Sequence, residues 1–376
     1  MKSLCLRLGF LFKQLIKMVM QALVFPTVYW FYSRRPVEED LIILADGHKS
    51  ELPYSMEEVY RVLKDGGYKV VTFFRRENEG YIRNLLRMIS FMKLYSRARV
   101  VFICDNFLPV ASCNKRKETT VVQLWHAGGI LKKYAYDTKD DIPAYYRGNV
   151  FKNYNLISVS APCCIPVYER AMRQEKGIVK ALGISRTDRF FKEEYKERCL
   201  ERFYKYHPEA KGKKVILWAP TFRGKAGNPH VIGGKAIEKL QRDLGADWYV
   251  ITKLHPHMNK CCDLRESSIP TEELLPVIDL LITDYSSVLF DYVLLDKPLV
   301  LYAPDLQEYI DKRGLYIDYS ELPGIIVTEE ENLTDAVLSE HRSYNPKRTE
   351  TFREKYMSAC DGKSTERILK EIGIKL

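Results

Sequence analysis

The stretch IDLLITDYSSVLFDYVLLDKPLVLYAPD (residues 278–305) contains two apolar runs separated by a segment with helical character. The first run ends at Asp284, the helix candidate covers 288–296, and the second run covers 298–305. Strands that are apolar throughout are typical of parallel sheets buried on both faces, and parallel neighbours need a crossover helix. The stretch therefore predicts one strand–helix–strand unit of an α/β fold.

The same alternation extends in both directions from this unit. Helical spacing occurs at 54–66 and 80–96, and charged sequence at 189–212 ends with the character of a linker. Further apolar runs lie at 41–47, 68–74, 98–106, 119–129, 156–162, 179–185, 213–222, 247–257 and 324–327.

Two doubly wound α/β domains in tandem account for this pattern. We predict a first Rossmann-like domain at 38–205 and a second at 206–376, whose last helix is able to cross back to the first. Ligands of such sheets bind at the C-terminal ends of the strands, so a cleft between two facing domains is the expected site.

The composition is that of a globular protein. The 376 residues include 59 Lys and Arg against 49 Asp and Glu, for a formal net charge of +10, and 46% are hydrophobic. These values exclude a disordered tail, a collagen-like fibre and a polytopic membrane protein. Nine cysteines, an odd number without a CxxC pair, favour a reducing compartment over a disulfide framework.

Residues 1–37 carry six cationic side chains and no acidic one, with leucines at every third or fourth position and a cluster of aromatic residues. The uncharged run between Lys17 and Arg34 falls short of the roughly 20 residues that a spanning helix needs, and it contains Pro26. We predict an amphipathic segment that lies peripherally on the cytoplasmic face of the membrane. The alternative is a first helix packed on its own domain. No basic stripe indicates a nucleic-acid partner.

Polar side chains follow the predicted strands at four places, the first being QLWHAGGILKKY (123–134), where His126 precedes Gly128 and Gly129. A histidine titrates near neutral pH and can act as a general base, and glycines allow a substrate to approach the backbone closely. The alternative is a core histidine ahead of an ordinary glycine turn.

The second and third places suit a phosphate. Thr221 and Arg223 follow a strand in WAPTFRGK (218–225), and arginine can contact a phosphate through two parallel hydrogen bonds. His255 ends a strand in KLHPHMNKCC (253–262), and it is expected to face the same ligand. The two adjacent cysteines of that segment are poorly spaced for zinc, so no metal site is predicted. A surface arginine that closes a loop is the alternative for Arg223.

The fourth place is the turn of the opening stretch, where Asp284 ends the strand and Ser286 and Ser287 precede the helix. The free N–H groups and the positive dipole end at a helix start favour a phosphate or diphosphate. The alternative is that the serines only cap the helix. The chain has no Walker A, GxGxxG, D-x-D or GxSxG motif, which weighs against NTPase, hydride-transfer and serine-hydrolase functions.

Six segments together resemble the CDP-glycerol glycerophosphotransferase family, the glycerol- and ribitol-phosphate transferases of teichoic acid synthesis. The resemblance spans roughly residues 100–330, and the block 284–324 is its most specific part. The segments are LWHAGGILKK, ALGISRTDRFF, LWAPTFRG, TKLHPH, LLITDYSSVLFDYVLLDKPLVLYAPDLQEY and RGLYIDYSELPG.

The resemblance implies a GT-B fold, with two Rossmann-like domains facing across a cleft. It implies transfer of a polyol phosphate, glycerol phosphate foremost, from a CDP-polyol to a hydroxyl of a lipid-linked saccharide, with release of CMP. No tightly bound cofactor is expected, although Mg²⁺ is compatible with the donor diphosphate. The N-terminal segment would then bring the enzyme to a membrane-borne acceptor.

The resemblance assigns His126 and His255 to catalysis. The donor side comprises Thr221, Arg223, Asp284, Ser286, Ser287 and, as a weaker candidate for a ribose or cytosine contact, Glu321. The acceptor side or its turns comprise Gly128, Gly129, Arg186 and Asp188.

Two departures leave the polyol and the acceptor open. The family's WHG motif with Thr-Pro reads His126-Ala127-Gly128-Gly129 here, and its RND-like turn reads Arg186-Thr187-Asp188. The length is nearer to that of the priming enzymes than to that of the large polymerases. Competing hypotheses are a GT-B glycosyltransferase that uses a nucleotide sugar and a non-catalytic nucleotide-sensing or scaffold protein.

Overall fold

The computed structural model describes residues 12, 14–76, 80–138, 141–142, 146, 148–224, 229–254 and 264–375. The chain forms two compact units. Unit 1 comprises Met1–His126, Tyr134–Asp188 and Ala359–Leu376, and unit 2 comprises Ala127–Lys133 and Arg189–Ser358.

Unit 1 is built on a six-stranded parallel sheet with strand order β2-β1-β3-β4-β5-β6. Its central strands are buried on both faces, in keeping with their continuous apolar sequence. The order reverses between β1 and β3, which makes the C-terminal ends of those two strands the switch point where ligands of such sheets bind. The strands are β1 Glu38–Ala45, β2 Lys69–Phe73, β3 Ala98–Ile103, β4 Thr120–Gln123, β5 Leu156–Ser158 and β6 Val179–Lys180.

Unit 2 repeats this architecture with strand order β12-β11-β10-β7-β8-β9, again all parallel. Here the switch point lies between β7 and β10, the strands that precede Arg223 and Asp284. The strands are β7 Lys214–Ala219, β8 Trp248–Thr252, β9 Arg265–Glu266, β10 Leu280–Thr283, β11 Leu299–Tyr302 and β12 Ile325–Val327.

Helices cover the faces of both sheets and connect the parallel strands. In unit 1 they are Gln14–Tyr32, Tyr54–Asp65, Tyr81–Tyr95, Leu108–Ala111, Ile165–Ala171 and Ser364–Glu371. In unit 2 they are Glu193–Tyr206, Gly234–Leu244, Thr271–Leu274, Val288–Tyr292, Leu306–Arg313, Leu333–Arg342 and Pro346–Tyr356.

The boundary between the units lies at 188/189 rather than at the 205/206 of the sequence-based domain division. The helix Glu193–Tyr206, expected in the first domain, belongs to unit 2, because Tyr195 donates a hydrogen bond to the carbonyl of Glu272 and Arg202 pairs with Glu273. Residues 359–376 belong to unit 1, where the backbone amides of Ser364 and Thr365 bond to unit 1 side chains.

The N-terminal helix Gln14–Tyr32 has 19 residues, which include Lys17 and the predicted uncharged run up to Tyr32, and it continues through Pro26. A π-helical turn at Met20–Val24 ends where the amide of Phe25 bonds to the carbonyl of Met20. Pro26 then occupies the first turn of an α-helical segment, where its missing N–H costs least. By length and composition this helix could cross a membrane.

Candidate functional site

His126 lies just past β4, next to the end of β3 in unit 1. Its Nδ1 is 3.3 Å from the carbonyl oxygen of Cys104 and 3.7 Å from Oδ2 of Asp105. This arrangement favours the tautomer that carries its proton on Nδ1, because both neighbours are acceptors. Nε2 is then unprotonated, and 52% of the side chain remains exposed, so the ring can accept a proton from a substrate.

The backbone before His126 is held in an unusual conformation. Trp125 has φ of 55°, in the left-handed region that non-glycine residues rarely adopt. Its amide donates to the side-chain carbonyl of Gln123, and the amide nitrogen of that side chain donates to the carbonyl of Asp105. The indole and imidazole centroids are 4.5 Å apart. These contacts link the backbone around His126 to the loop of its carboxylate partner.

Reduced hydration within the protein lowers the pKa of His126 below its ordinary value of 6.5. The negative charge of Asp105 opposes this shift, and the positive charge of Arg186 adds to it. The neutral imidazole is therefore the dominant form at neutral pH, as a general base requires.

Asp46 ends β1 and supports the same region. Its Oδ1 accepts hydrogen bonds from the amides of His48 and Lys49 at 2.6 and 2.7 Å, and its Oδ2 accepts one from the thiol of Cys104 at 3.1 Å. The carboxylate thereby fixes the turn after β1 against the end of β3.

In unit 2, Arg223 joins the loops that follow three strands. Its Nε and Nη2 donate to the two carboxylate oxygens of Asp305 at 2.7 and 2.9 Å, and Nη2 also donates to Asp284 at 3.0 Å. Nη1 donates to the carbonyl of Thr221 at 2.5 Å. The rings of Tyr285 and Tyr309 are stacked on each other with centroids 3.7 Å apart, and the guanidinium carbon lies 4.9 and 5.0 Å from those centroids.

This network supplies protein acceptors for the guanidinium of Arg223, and the expected diphosphate contact stays a prediction. Only 11% of its side chain is exposed, and Asp284 and Asp305 occupy both edges of the guanidinium. Burial works to raise the pKa of Asp305, but the hydrogen bonds from Arg223 outweigh it and hold that pKa below its ordinary value of 3.8. Asp284 also accepts the amides of Thr221 and Tyr285, so the DYSS turn is fixed at its first residue.

Ser286 and Ser287 follow that turn and are both partly exposed. The hydroxyl of Ser286 accepts the amide of Val288 at 3.4 Å, while Ser287 makes no side-chain capping bond. The helix after them spans only Val288–Tyr292 and continues as a 3-10 turn, where the sequence predicted a helix to residue 296. Because the helix is short, its dipole is small. A diphosphate at this turn would therefore be bound mainly by hydrogen bonds from the serine hydroxyl groups and from free backbone amides.

Gly128 and Gly129 pack on that short helix within unit 2. Gly129 has φ of +62°, and a Cβ there would lie 2.1 Å from Cε1 of Phe290. A Cβ on Gly128 would lie 3.3 Å from Cβ of the same residue. The glycines therefore allow close packing on Phe290, a reason for their presence that is independent of a substrate.

The turn at 185–191 contains two of the predicted site residues. Asp188 is buried, and its two carboxylate oxygens accept the amides of Ser364 and Thr365 at 2.9 and 2.7 Å. It therefore caps the helix Ser364–Glu371 and ties the C-terminal segment to unit 1. Arg186 is buried, and its charge acts on the thiol of Cys104 and on His126.

Two further predicted residues lie outside this geometry. Glu321 pairs with Lys355 at 2.5 Å and accepts a hydrogen bond from the hydroxyl of Tyr356 at 3.0 Å, apart from the Arg223 network. His255 lies outside the described residues. Among the residues that are described, no group of three or more His, Cys, Asp and Glu side chains could hold a metal ion.

Asp105, Asp46 and Asp305 are not among the residues predicted from the sequence. The first two follow β3 and β1, and the third follows β11, so each occupies the position at which His126 and Asp284 were found. The motif ICDN at the end of the run 98–106 was the available signal for Asp105. Strand order was the missing information, because it alone makes these strand ends neighbours.

Comparisons with known proteins show the family of this chain. A family model described as CDP-glycerol:poly(glycerophosphate) glycerophosphotransferase matches residues 27–373. The chain is 35% identical over 367 residues to the teichoic acid ribitol-phosphate primase of Bacillus spizizenii, which covers 92% of this chain and 94% of the primase. It is 30% identical to the teichoic acid poly(ribitol-phosphate) polymerase of the same species, over 93% of this chain and 58% of the polymerase.

A solved structure shows the same fold. The wall teichoic acid polymerase TagF matches with a TM-score of 0.72 and 20% identity over 96% of each chain. This match, with the two parallel six-stranded sheets, confirms the expected GT-B-like fold with two Rossmann-like units.

Proposed function

The chain belongs to the CDP-glycerol:poly(glycerophosphate) glycerophosphotransferase family and is a CDP-polyol phosphotransferase of teichoic acid synthesis, and we propose that it primes the polymer with ribitol phosphate. The sequence analysis put glycerol phosphate first. The 35% identity to a ribitol-phosphate primase, against 29% to the teichoic acid glycerol-phosphate primase of Bacillus subtilis, supports ribitol phosphate. The lower identity of 30% to a poly(ribitol-phosphate) polymerase supports the priming step.

In the proposed reaction, an acceptor hydroxyl attacks the phosphorus atom that carries the polyol. A new P–O bond forms to the acceptor, the P–O bond to CMP breaks, and CMP leaves with the electron pair. The acceptor proton passes to Nε2 of His126. The placement of His126, with Nδ1 turned toward Cys104 and Asp105 and an exposed ring, is the observation that carries this assignment.

The donor diphosphate is assigned to unit 2. Ser286 and Ser287 have partly exposed hydroxyl groups directly after a turn that Asp284 and Arg223 hold in place. Hydrogen-bond donors that are already in position before the reaction stabilise the charge that grows on the leaving CMP, because they need not reorganise during the reaction. His255 is assigned to the same diphosphate on the family resemblance alone. A Mg²⁺ ion, if required, would arrive with the donor.

We further propose a lipid-linked saccharide acceptor and a peripheral position on the cytoplasmic membrane surface. The N-terminal helix exposes an apolar stripe of Leu15, Val19, Leu23 and Trp30. Its opposite face is anchored in unit 1, where the hydroxyl of Tyr29 accepts the amide of Arg116. A helix with one protein-bound face and one apolar face suits the membrane interface. Flotation with anionic vesicles tests this, and a chain that stays with the soluble fraction contradicts it.

Analysis of the reaction product tests which CDP-polyol is the donor. Purified protein is incubated with CDP-ribitol or CDP-glycerol and a lipid-linked disaccharide, and the acceptor is analysed by mass spectrometry. The proposal expects the mass of one ribitol phosphate and acceptor-dependent CMP. A gain of several units would show a polymerase, and a gain only from CDP-glycerol would overturn the choice of ribitol. A gain of a sugar from a nucleotide sugar would contradict the whole assignment.

A further inference from the structure

A cavity of about 760 Å³ opens at the switch point of the unit 1 sheet. Residues that follow β1, β2 and β3 line it, together with the N-terminal helix and the helix Tyr81–Tyr95. Ligands of doubly wound sheets bind at this position, and the volume lies within the range of ligand sites, roughly 300–1,000 Å³. Asp105, whose carboxylate is 3.7 Å from Nδ1 of His126, belongs to the lining, so the cavity extends to the residue beside the proposed base.

Two arginines in the lining have no carboxylate partner within the described residues. Arg87 is half-buried, its Nε is fully buried without a hydrogen bond, and its guanidinium lies 5.5 Å from the ring centroid of Phe73. Arg75 bonds through its backbone amide to Lys49, and its side chain is exposed. A buried guanidinium donor without a partner is costly, which marks Arg87 as a residue kept for an anion.

The carboxylates of the same cavity, by contrast, already have partners. Asp46 accepts two backbone amides and a thiol, and Asp105 accepts the amide of Asn106 at 2.6 Å and lies beside His126. Asp141 accepts the amide of Ala135 at 3.0 Å. Among the described residues of the lining, the charged side chain that is left with a buried and unbonded donor is therefore that of Arg87.

The remaining lining indicates what kind of anion fits. Phe73, Phe107 and Tyr81 supply apolar ring faces, and Lys17 and Met20 come from the helix that carries the exposed apolar stripe. Arginine pairs with phosphate through parallel hydrogen bonds, and apolar ring faces suit the flat sides of sugars. A molecule that combines phosphate, sugar and a lipid tail matches all three features.

We propose that this cavity binds the phosphate-bearing headgroup of the lipid-linked acceptor, with Arg75 and Arg87 on its phosphates. The inference rests on the proposed function and names the site of its second substrate. The saccharide then extends toward Asp105 and His126, and the lipid leaves along the N-terminal helix. The acceptor is thus recognised by its carrier phosphates as well as by its sugars.

The test compares acceptors and variants at saturating CDP-polyol. One acceptor is a short-chain prenyl-diphosphate disaccharide, and the other is the same disaccharide without phosphate. In Arg87→Ala and Arg75→Ala the KM for the first acceptor rises by about tenfold or more, since a hydrogen bond between charged groups is lost. The KM for the donor and turnover of the phosphate-free acceptor stay unchanged. Arg87→Lys should recover part of the affinity for the acceptor, and it serves as a control for a folding defect in Arg87→Ala.

Arg83→Ala is the matched control, because Arg83 lies exposed on the same helix and does not line the cavity. It should behave as the parent protein. An unchanged acceptor KM in the Arg75 and Arg87 variants, or a raised donor KM, overturns the proposal. A further result would also overturn the proposal: inorganic diphosphate inhibits the parent protein but not Arg87→Ala, while the acceptor KM is the same in both. That result would assign the site to free phosphate.

A failure of the cavity proposal can be distinguished from a failure of the proposed function. If the parent protein releases no CMP from any CDP-polyol, the proposed function fails. Calorimetric binding of the prenyl-diphosphate disaccharide to the parent and Arg87→Ala proteins then decides the cavity by itself. Binding lost in the variant supports the site, and equal binding overturns it.

Discussion

Replacing Arg223 with methionine tests whether this residue positions the donor turn or binds the donor. The change removes the guanidinium and keeps most of the apolar stem. It leaves Asp284 and Asp305, whose side chains are only 5% and 11% exposed, without their cation. Breaking a buried ion pair from one side costs about 3–5 kcal/mol, because the remaining charge is buried and uncompensated.

The assay is chemical denaturation of Arg223→Met, Asp305→Asn and the double variant. We expect Arg223→Met to lower the free energy of unfolding of unit 2 by about 3–5 kcal/mol. The double variant should recover part of that loss, because one unpaired carboxylate is gone. Arg223→Lys keeps a positive charge but loses the planar guanidinium that bonds both carboxylates. Its free energy of unfolding should therefore lie between those of the parent protein and Arg223→Met.

The loss should also depend on pH. Arg223 holds the pKa of Asp305 below 3.8, so the stability gained from that ionised carboxylate is full at pH 7 and disappears as the pH falls through the lowered pKa. The difference between the parent and Arg223→Met should therefore shrink as the pH falls toward and below 3.8. A variant as stable as the parent at pH 7, with only a raised donor KM, would refute the positioning role and restore the direct diphosphate contact.

Two other predictions concern the loops around His126. Asp105→Asn should lower kcat by about 10–100-fold, which is part of the 10²–10⁴ typical of a general base. The acid limb of the pH profile of kcat/KM should also move to lower pH, because the charge of Asp105 raises the pKa of His126. An acid limb that stays in place or moves to higher pH would contradict this prediction. Gly129→Ala should destabilise unit 2 by about 2–4 kcal/mol in denaturation, because it adds left-handed strain and overlap with Phe290. Gly212→Ala, at φ of +77° with open space around it, isolates the strain alone, and equal losses in the two variants would remove the packing argument.

The sequence predicted the fold through the strands that are buried on both faces. Each predicted apolar run overlaps a strand, from β1 at Glu38–Ala45 to β12 at Ile325–Val327. The run was the reliable signal because a parallel strand has no solvent face and needs no alternation. The two-residue strand β9 at Arg265–Glu266 was missed, since both of its side chains are exposed.

The candidate site was partly predictable for a related reason. His126, Thr221 and Asp284 each follow a strand, and the sequence shows that directly. What it does not show is strand order, and therefore the partners Asp105 and Asp305, which follow strands far away along the chain. The ion pairs of Arg223 could not be predicted for the same reason, because its carboxylate partners become neighbours only in the folded sheet.

The most direct test of the account is the rate of acceptor-dependent CMP release from CDP-ribitol by the parent protein and by His126→Ala. The account predicts a rate that falls by about 10²–10⁴ in the variant, with donor binding retained, because only the removal of the acceptor proton is lost. Release of CMP at nearly the parental rate by His126→Ala would contradict the assignment of His126 as the base.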